Sequence, residues 1–98
     1  MIIAGTVRAP AEAIESLRPH MLEMVAKTRA EDGCSLFSFA EDVADPGLIR
    51  VFEIWRDKDA LRAHTKAEHL AAWRAACARF GVSDRNLTAY EIAGERPV

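Results

Sequence analysis

The chain predicts an α+β fold in the order β-α-β-β-α-β, with both helical segments packed on one face of a four-stranded antiparallel sheet. Three features carry that reading. Two β-rich runs, Cys34 to Ala40 and Leu48 to Trp55, flank the turn signature Asp45-Pro46-Gly47 and so predict a hairpin. Apolar residues at helical spacing occupy the long stretches on either side of that hairpin, and a further β-rich run lies near each end of the chain. Helices that separate strands around one central hairpin give the split β-α-β order.

Ile2 to Val7 is expected to be the first strand, apolar without strict alternation and therefore covered on both faces. Pro10 suits a first helical turn, where its missing N–H would have had no partner. The following helix is expected to run to about Asp32, with Ile14, Leu17, Met21, Met24 and Thr28 on one stripe and Leu22 and Val25 widening it. Pro19 should kink this helix, because it removes a backbone bond. Gly33 is placed to take the left-handed conformation that commonly ends a helix.

On the second strand Cys34, Leu36 and Ser38 are expected on one side and Ser35, Phe37 and Phe39 on the other. On the third, Leu48, Arg50, Phe52 and Ile54 oppose Ile49, Val51, Glu53 and Trp55. Neither face of the third strand reads as a water face. A chain of 98 residues supplies helices for one face only, so a second copy is expected to cover the other, as a homodimer joined through the sheets. Asp57 then caps a short helix holding Ala60, Leu61 and Ala63, and Thr65-Lys66-Ala67-Glu68 reads as a capping box that opens the next. His64 falls at the bend between them. Leu70, Trp73, Cys77 and Phe80 form the sheet-facing stripe of the last helix, Gly81 ends it, and Leu87 to Ala93 is expected to be the fourth strand.

This length corresponds to one domain, residues 1–98, and 50% hydrophobic with 29% charged residues is an ordinary globular balance. With 13 Lys and Arg against 15 Asp and Glu the net charge is −2, and the basic residues are dispersed, so nucleic acid is not an expected partner. No run approaches the roughly 20 apolar residues of a membrane span, and the first residues turn polar too soon for a signal peptide. No membrane partner and a cytoplasmic location are expected. Cys34 and Cys77 lie far apart within apolar patterns, which suits reduced core thiols better than a disulfide or a metal pair. Phosphate-binding, dinucleotide-binding and Gly-x-Ser-x-Gly signatures are absent.

His64 is the leading candidate for chemistry, since an imidazole beside a pocket can take a proton from a phenol near neutral pH. Its plain alternative is a packed histidine bonded to a backbone carbonyl. Trp55 offers a flat wall and one N–H donor, or simply core. Glu53, on the same strand face, needs a partner such as Arg50, Arg8 or a backbone donor, and an ion pair is its plainer reading. Phe37 and Phe39 line whichever face they share, core or cavity, with Leu36 and Tyr90 as further candidate liners. His69 follows His64 by five residues, which does not place both on one helix face, so no metal site is expected.

The run Glu53-Ile54-Trp55, followed by Leu61 and His64 and preceded by Asp32-Gly33-Cys34, resembles the antibiotic biosynthesis monooxygenase domain, over a stretch from Ile2 to about Ile92. The resemblance implies a ferredoxin-like fold whose sheets pair into a dimeric α/β barrel, with the tryptophan of this motif beside the substrate cavity. It also implies oxidation of a quinol or polycyclic phenol by dioxygen without flavin, haem or metal. Isomerases share this architecture and offer a rival reading, as does a non-catalytic binder of small aromatic molecules. Haem-degrading relatives look for an asparagine on the first strand, where this chain reads Ala4-Gly5-Thr6-Val7.

Overall fold

The computed structural model describes all 98 residues. Strand β1 spans Ile2–Arg8, and a single 3-10 turn at Ala11–Ala13 leads into helix α1, Ile14–Arg29. Strands β2 (Cys34–Glu41) and β3 (Leu48–Trp55) form the hairpin, followed by α2 (Lys58–Thr65), α3 (Glu68–Phe80) and β4 (Ser83–Tyr90). The four strands are antiparallel in the order β2-β3-β1-β4, which is the ferredoxin-like α+β arrangement. No helix is long and apolar enough to cross a membrane.

The α1 stripe behaves as its spacing requires: Ile14, Leu17, Met21, Met24 and Thr28 are all buried. Leu22, expected to widen the stripe, is instead 64% exposed. The helix continues through Pro19 and ends at Arg29, so Gly33, at φ 82°, turns the chain after the helix rather than capping it directly. Pro10 precedes a 3-10 turn instead of opening the α-helix.

The sheet has two different faces. Ile3 and Val7 of β1, Ile49, Val51, Glu53 and Trp55 of β3, and Phe37 of β2 are buried on the side that the helices cover. The side chains of α1 and α3 fill that side in two clusters, one around Leu17 and Ile49 and one around Met24, Phe37 and Trp55. Phe52, Leu36 and Tyr90 lie on the other side, 40%, 39% and 52% exposed, where this chain supplies no cover. A bulge between Cys34 and Leu36 corrects the simple alternation expected of β2. Cys34 pairs with Trp55 and packs into the Trp55 cluster, while Ser35 is the extra, exposed residue.

Two boundaries near the C-terminus also differ from expectation. Asp57 caps α2, its Oδ1 accepting the Ala60 N–H at 2.8 Å, but the expected capping box at Thr65 does not form. Thr65 Oγ1 donates to the Arg62 carbonyl at 2.6 Å and α3 begins after Ala67, which has no side-chain cap to offer. Strand β4 starts four residues earlier than its apolar residues suggest and ends at Tyr90. Its polar first half is held by pairing with β1 rather than by burial.

Candidate active site

A cavity of about 450 Å³ lies between the helix-covered face of the sheet and helices α2 and α3. Its wall is mostly apolar, with Phe37 and Phe39 from β2, Leu70 and Trp73 from α3, and Leu87 from β4. The two phenylalanine rings meet edge to face, 5.2 Å apart at 73°, and Phe39 lies 4.9 Å from the Trp73 ring. Two groups suited to proton chemistry face this wall, His64 and Glu53.

His64 is 4% exposed and stands where α2 ends. Its ring packs against two aromatic rings, Trp55 at 4.7 Å between centroids and Phe37 at 5.9 Å, both tilted relative to it. Nδ1 lies 2.5 Å from Glu31 Oε2, and His69 Nε2 reaches the same oxygen at 2.9 Å. With the carboxylate as acceptor, His64 Nδ1 carries the proton and Nε2 keeps its lone pair free. Glu31 is carried by the turn that closes α1, its own N–H bonded to the Thr28 carbonyl and its carbonyl accepting from Cys34 N–H.

Glu53 is 5% exposed and takes none of the partners expected for it. Arg8 pairs with Asp45 and Arg50 with Asp42 on the rim of the sheet. Glu53 Oε1 instead accepts the indole N–H of Trp55 at 2.8 Å. Burial pushes the Glu53 carboxyl above the usual 4.5, opposed in part by the Trp55 hydrogen bond and by its neighbours His64 and Arg85. Trp55 itself is 1% exposed and lies behind His64 and Glu53, outside the cavity lining, so its wall is presented to the histidine rather than to the cavity. Leu36 and Tyr90, two expected liners, point to the opposite face of the sheet.

The profile of the antibiotic biosynthesis monooxygenase family matches residues 1–76. The chain belongs to that family. A Mycobacterium tuberculosis relative named "Putative monooxygenase Rv0793" is 38% identical over 74 residues, covering 76% of this chain and 71% of its own. The crystal structure of a "putative antibiotic biosynthesis monooxygenase" from Deinococcus radiodurans superposes with a TM-score of 0.91 at 31% identity, covering 100% of this chain and 98% of that one. The solved structure of Rv0793 superposes with a TM-score of 0.71 at 27% identity, over 95% of this chain and 96% of that one. A monooxygenase-like function is therefore the family-level assignment.

Within this family member, Glu31, His64 and His69 also form the residue set of a two-histidine, one-carboxylate metal centre, with ligand atoms within 4.8 Å of one another. The expectation that the two histidines stay apart is corrected here. The spacing argument holds for one continuous helix, whereas the chain breaks at Lys66 and Ala67 into two helices, and the break brings the two rings to 6.0 Å between centroids. The direct contacts to Glu31 Oε2 already give each imidazole an acceptor without an ion. Glu31 carried no signal of its own, because its partners lie 33 and 38 residues away in the chain.

Proposed function

We propose that this protein is a cofactor-independent monooxygenase that uses dioxygen to convert a quinol or polycyclic phenol into a quinone. The observation that carries the reading is His64: a buried imidazole on an apolar cavity, its Nδ1 held by a carboxylate and its second nitrogen available to a substrate hydroxyl. Removing the phenolic proton to Nε2 leaves an electron-rich phenolate. One electron passes from it to dioxygen, and recombination of the radical pair forms a C–O bond to a ring carbon that carries hydrogen. Cleavage of the O–O bond with loss of that ring proton gives the quinone and one water. Both oxygen atoms and all four electrons are accounted for by substrate and dioxygen, so no external reductant enters.

The cavity contributes in three ways. Its apolar wall keeps water from the anion and the radical pair. Glu31 stabilises the imidazolium that forms when His64 takes the proton, as a buried carboxylate does for a catalytic histidine elsewhere. Glu53, whose carboxyl burial pushes above its ordinary range, lines the cavity and in its protonated form donates a hydrogen bond to the peroxide oxygen. A second copy of the chain is proposed to cover the outer sheet face around Phe52 and Leu36, away from the cavity.

Oxygen uptake tests the reading. Purified, metal-free protein given a naphthohydroquinone should consume dioxygen faster than buffer, and His64→Ala should remove roughly 10²–10⁴ of that acceleration. Saturable binding of the aromatic without oxygen consumption would make the protein a binder instead.

A further inference from the structure

We propose that the natural substrate carries a carboxylate, held at the cavity mouth by Arg74 and Arg85. This deepens the reading of the cavity given under Proposed function and names the substrate class. Of the 13 Lys and Arg residues, seven sit in ion pairs with carboxylates, among them Arg8, Arg50 and Arg56. Arg29 donates to the Phe37 carbonyl at 2.9 Å, and Arg79 lies 4.9 Å over the Phe80 ring. Arg74 and Arg85 have no such partner, and they are the two cationic residues that line the cavity.

They reach it from different elements. Arg74 follows the cavity residue Trp73 on α3, and Arg85 precedes Leu87 by two on β4, which places it on the same strand face. Two acidic groups also line the cavity. Glu53 is committed to Trp55 and is kept toward its neutral form by burial. Asp84 accepts from Ser83 Oγ at 3.4 Å and its charge acts on Arg8. Neither makes an ion pair with Arg74 or Arg85, so the mouth is left with two guanidinium groups beside an apolar chamber.

A guanidinium presents a planar fork of donors that matches a carboxylate in bidentate fashion. Cations at the rim of a low-dielectric cleft also draw in anions. An aromatic ring system with one carboxylate therefore fits this cavity better than an uncharged quinol. The ring occupies the wall of Phe39, Leu70 and Trp73, and the charge stays at the wet mouth, where its desolvation is least costly.

The test reads binding without turnover, through quenching of tryptophan fluorescence, since Trp73 lines the cavity. The full chain is titrated with 2-naphthoate, with its neutral isostere 2-naphthamide, and with 2-naphthyl phosphate. We expect 2-naphthoate to bind about 10-fold or more tightly than the amide, which corresponds to one charge-assisted contact pair. The preference should shrink with added salt and vanish in the Arg74→Ala/Arg85→Ala double variant, read as the ratio of acid to amide affinity within that variant. Arg74→Lys/Arg85→Lys should retain part of it. Equal affinities for acid and amide, no binding of the acid, or a preference for the phosphate alone would overturn the proposal. Because no oxygen is consumed in this assay, failure of the oxygenase reading and failure of the carboxylate preference remain separate results.

Discussion

Trp55 and Glu53, two residues apart on β3, are joined by a 2.8 Å hydrogen bond from the indole Nε1 to Oε1, so the donor expected to face the substrate is committed to a buried carboxyl group. The consequence for stability has a definite sign. Glu53 has its folded value raised above 4.5, so the folded chain holds this proton at pH values where the unfolded chain has released it. Stability is then unpenalised below the unfolded value, falls as pH rises through the window up to the folded value, and levels off above it. Glu53→Gln keeps an oxygen for the Trp55 N–H and removes the titration. Melting of both proteins from about pH 4 to about pH 8 should show the variant gaining on the parent as pH rises; a constant gap would refute the assignment. Trp55→Phe should cost about 1–3 kcal/mol, since it leaves a buried acceptor unpaired.

Glu31 touches the two histidines and not the cavity, which makes it a positioning residue. Glu31→Ala should therefore lower kcat about 10-fold or more with KM nearly unchanged, within the range that His64 itself contributes. Phe39→Ala should do the reverse, raising KM by loss of a wall contact. Dialysis against EDTA should leave kcat intact. Loss on chelation, restored by a divalent ion, would show that Glu31, His64 and His69 act as metal ligands instead.

What the sequence made legible was the part of the fold governed by local periodicity. The five buried positions of α1 follow from spacing alone, and so does the β2–β3 hairpin from Asp45-Pro46-Gly47. The alternation of β3 is also as expected, with Ile49, Val51, Glu53 and Trp55 buried together. Features set by tertiary contacts were hidden. The bulge at Ser35 moves Cys34 to the other face, and polar Ser83 to Asn86 form strand because β1 offers them a ladder. The same holds at the site. His64 was visible at its helix junction, whereas Glu31 and His69 meet it only after the chain has turned twice.

Cys77 lines the cavity, and burial pushes its thiol up to about 11. Little of it is thiolate at pH 8, so alkylation should run at least about 10-fold slower than that of an ordinary exposed thiol. Iodoacetamide labelling followed by mass spectrometry measures this directly. An aromatic ligand in the cavity should slow Cys77 further while leaving Cys34, which is outside the lining, unaffected.

Gly5 carries the last prediction, because it sets how closely β4 approaches the cavity. It pairs with Val51 on one side and Leu87 on the other, and a Cβ built on it would stand 1.9 Å from the Asn86 carbonyl oxygen and 2.8 Å from Leu87 Cα. Both are backbone atoms, so no side-chain rotation relieves the contact. The pairing of β1 with β4 shifts register just beyond, between Thr6 and Arg8, and Asp84 adopts φ 53° there. The missing side chain at position 5 thus lets β4 fold over β1 and bring Arg85 and Leu87 to the cavity wall. Gly5→Ala should destabilise by about 2 kcal/mol or more, and the protein that remains folded should bind 2-naphthoate more weakly because β4 is displaced. Gly94→Ala is the control: nothing lies within 4 Å of its Cβ position, and its stability should stay within about 0.5 kcal/mol of the parent. Thermal melts and naphthoate titrations of the two variants decide it. A Gly5→Ala protein as stable as the control would show that β4 is not locked against β1, and that the cavity's fourth wall is free to open.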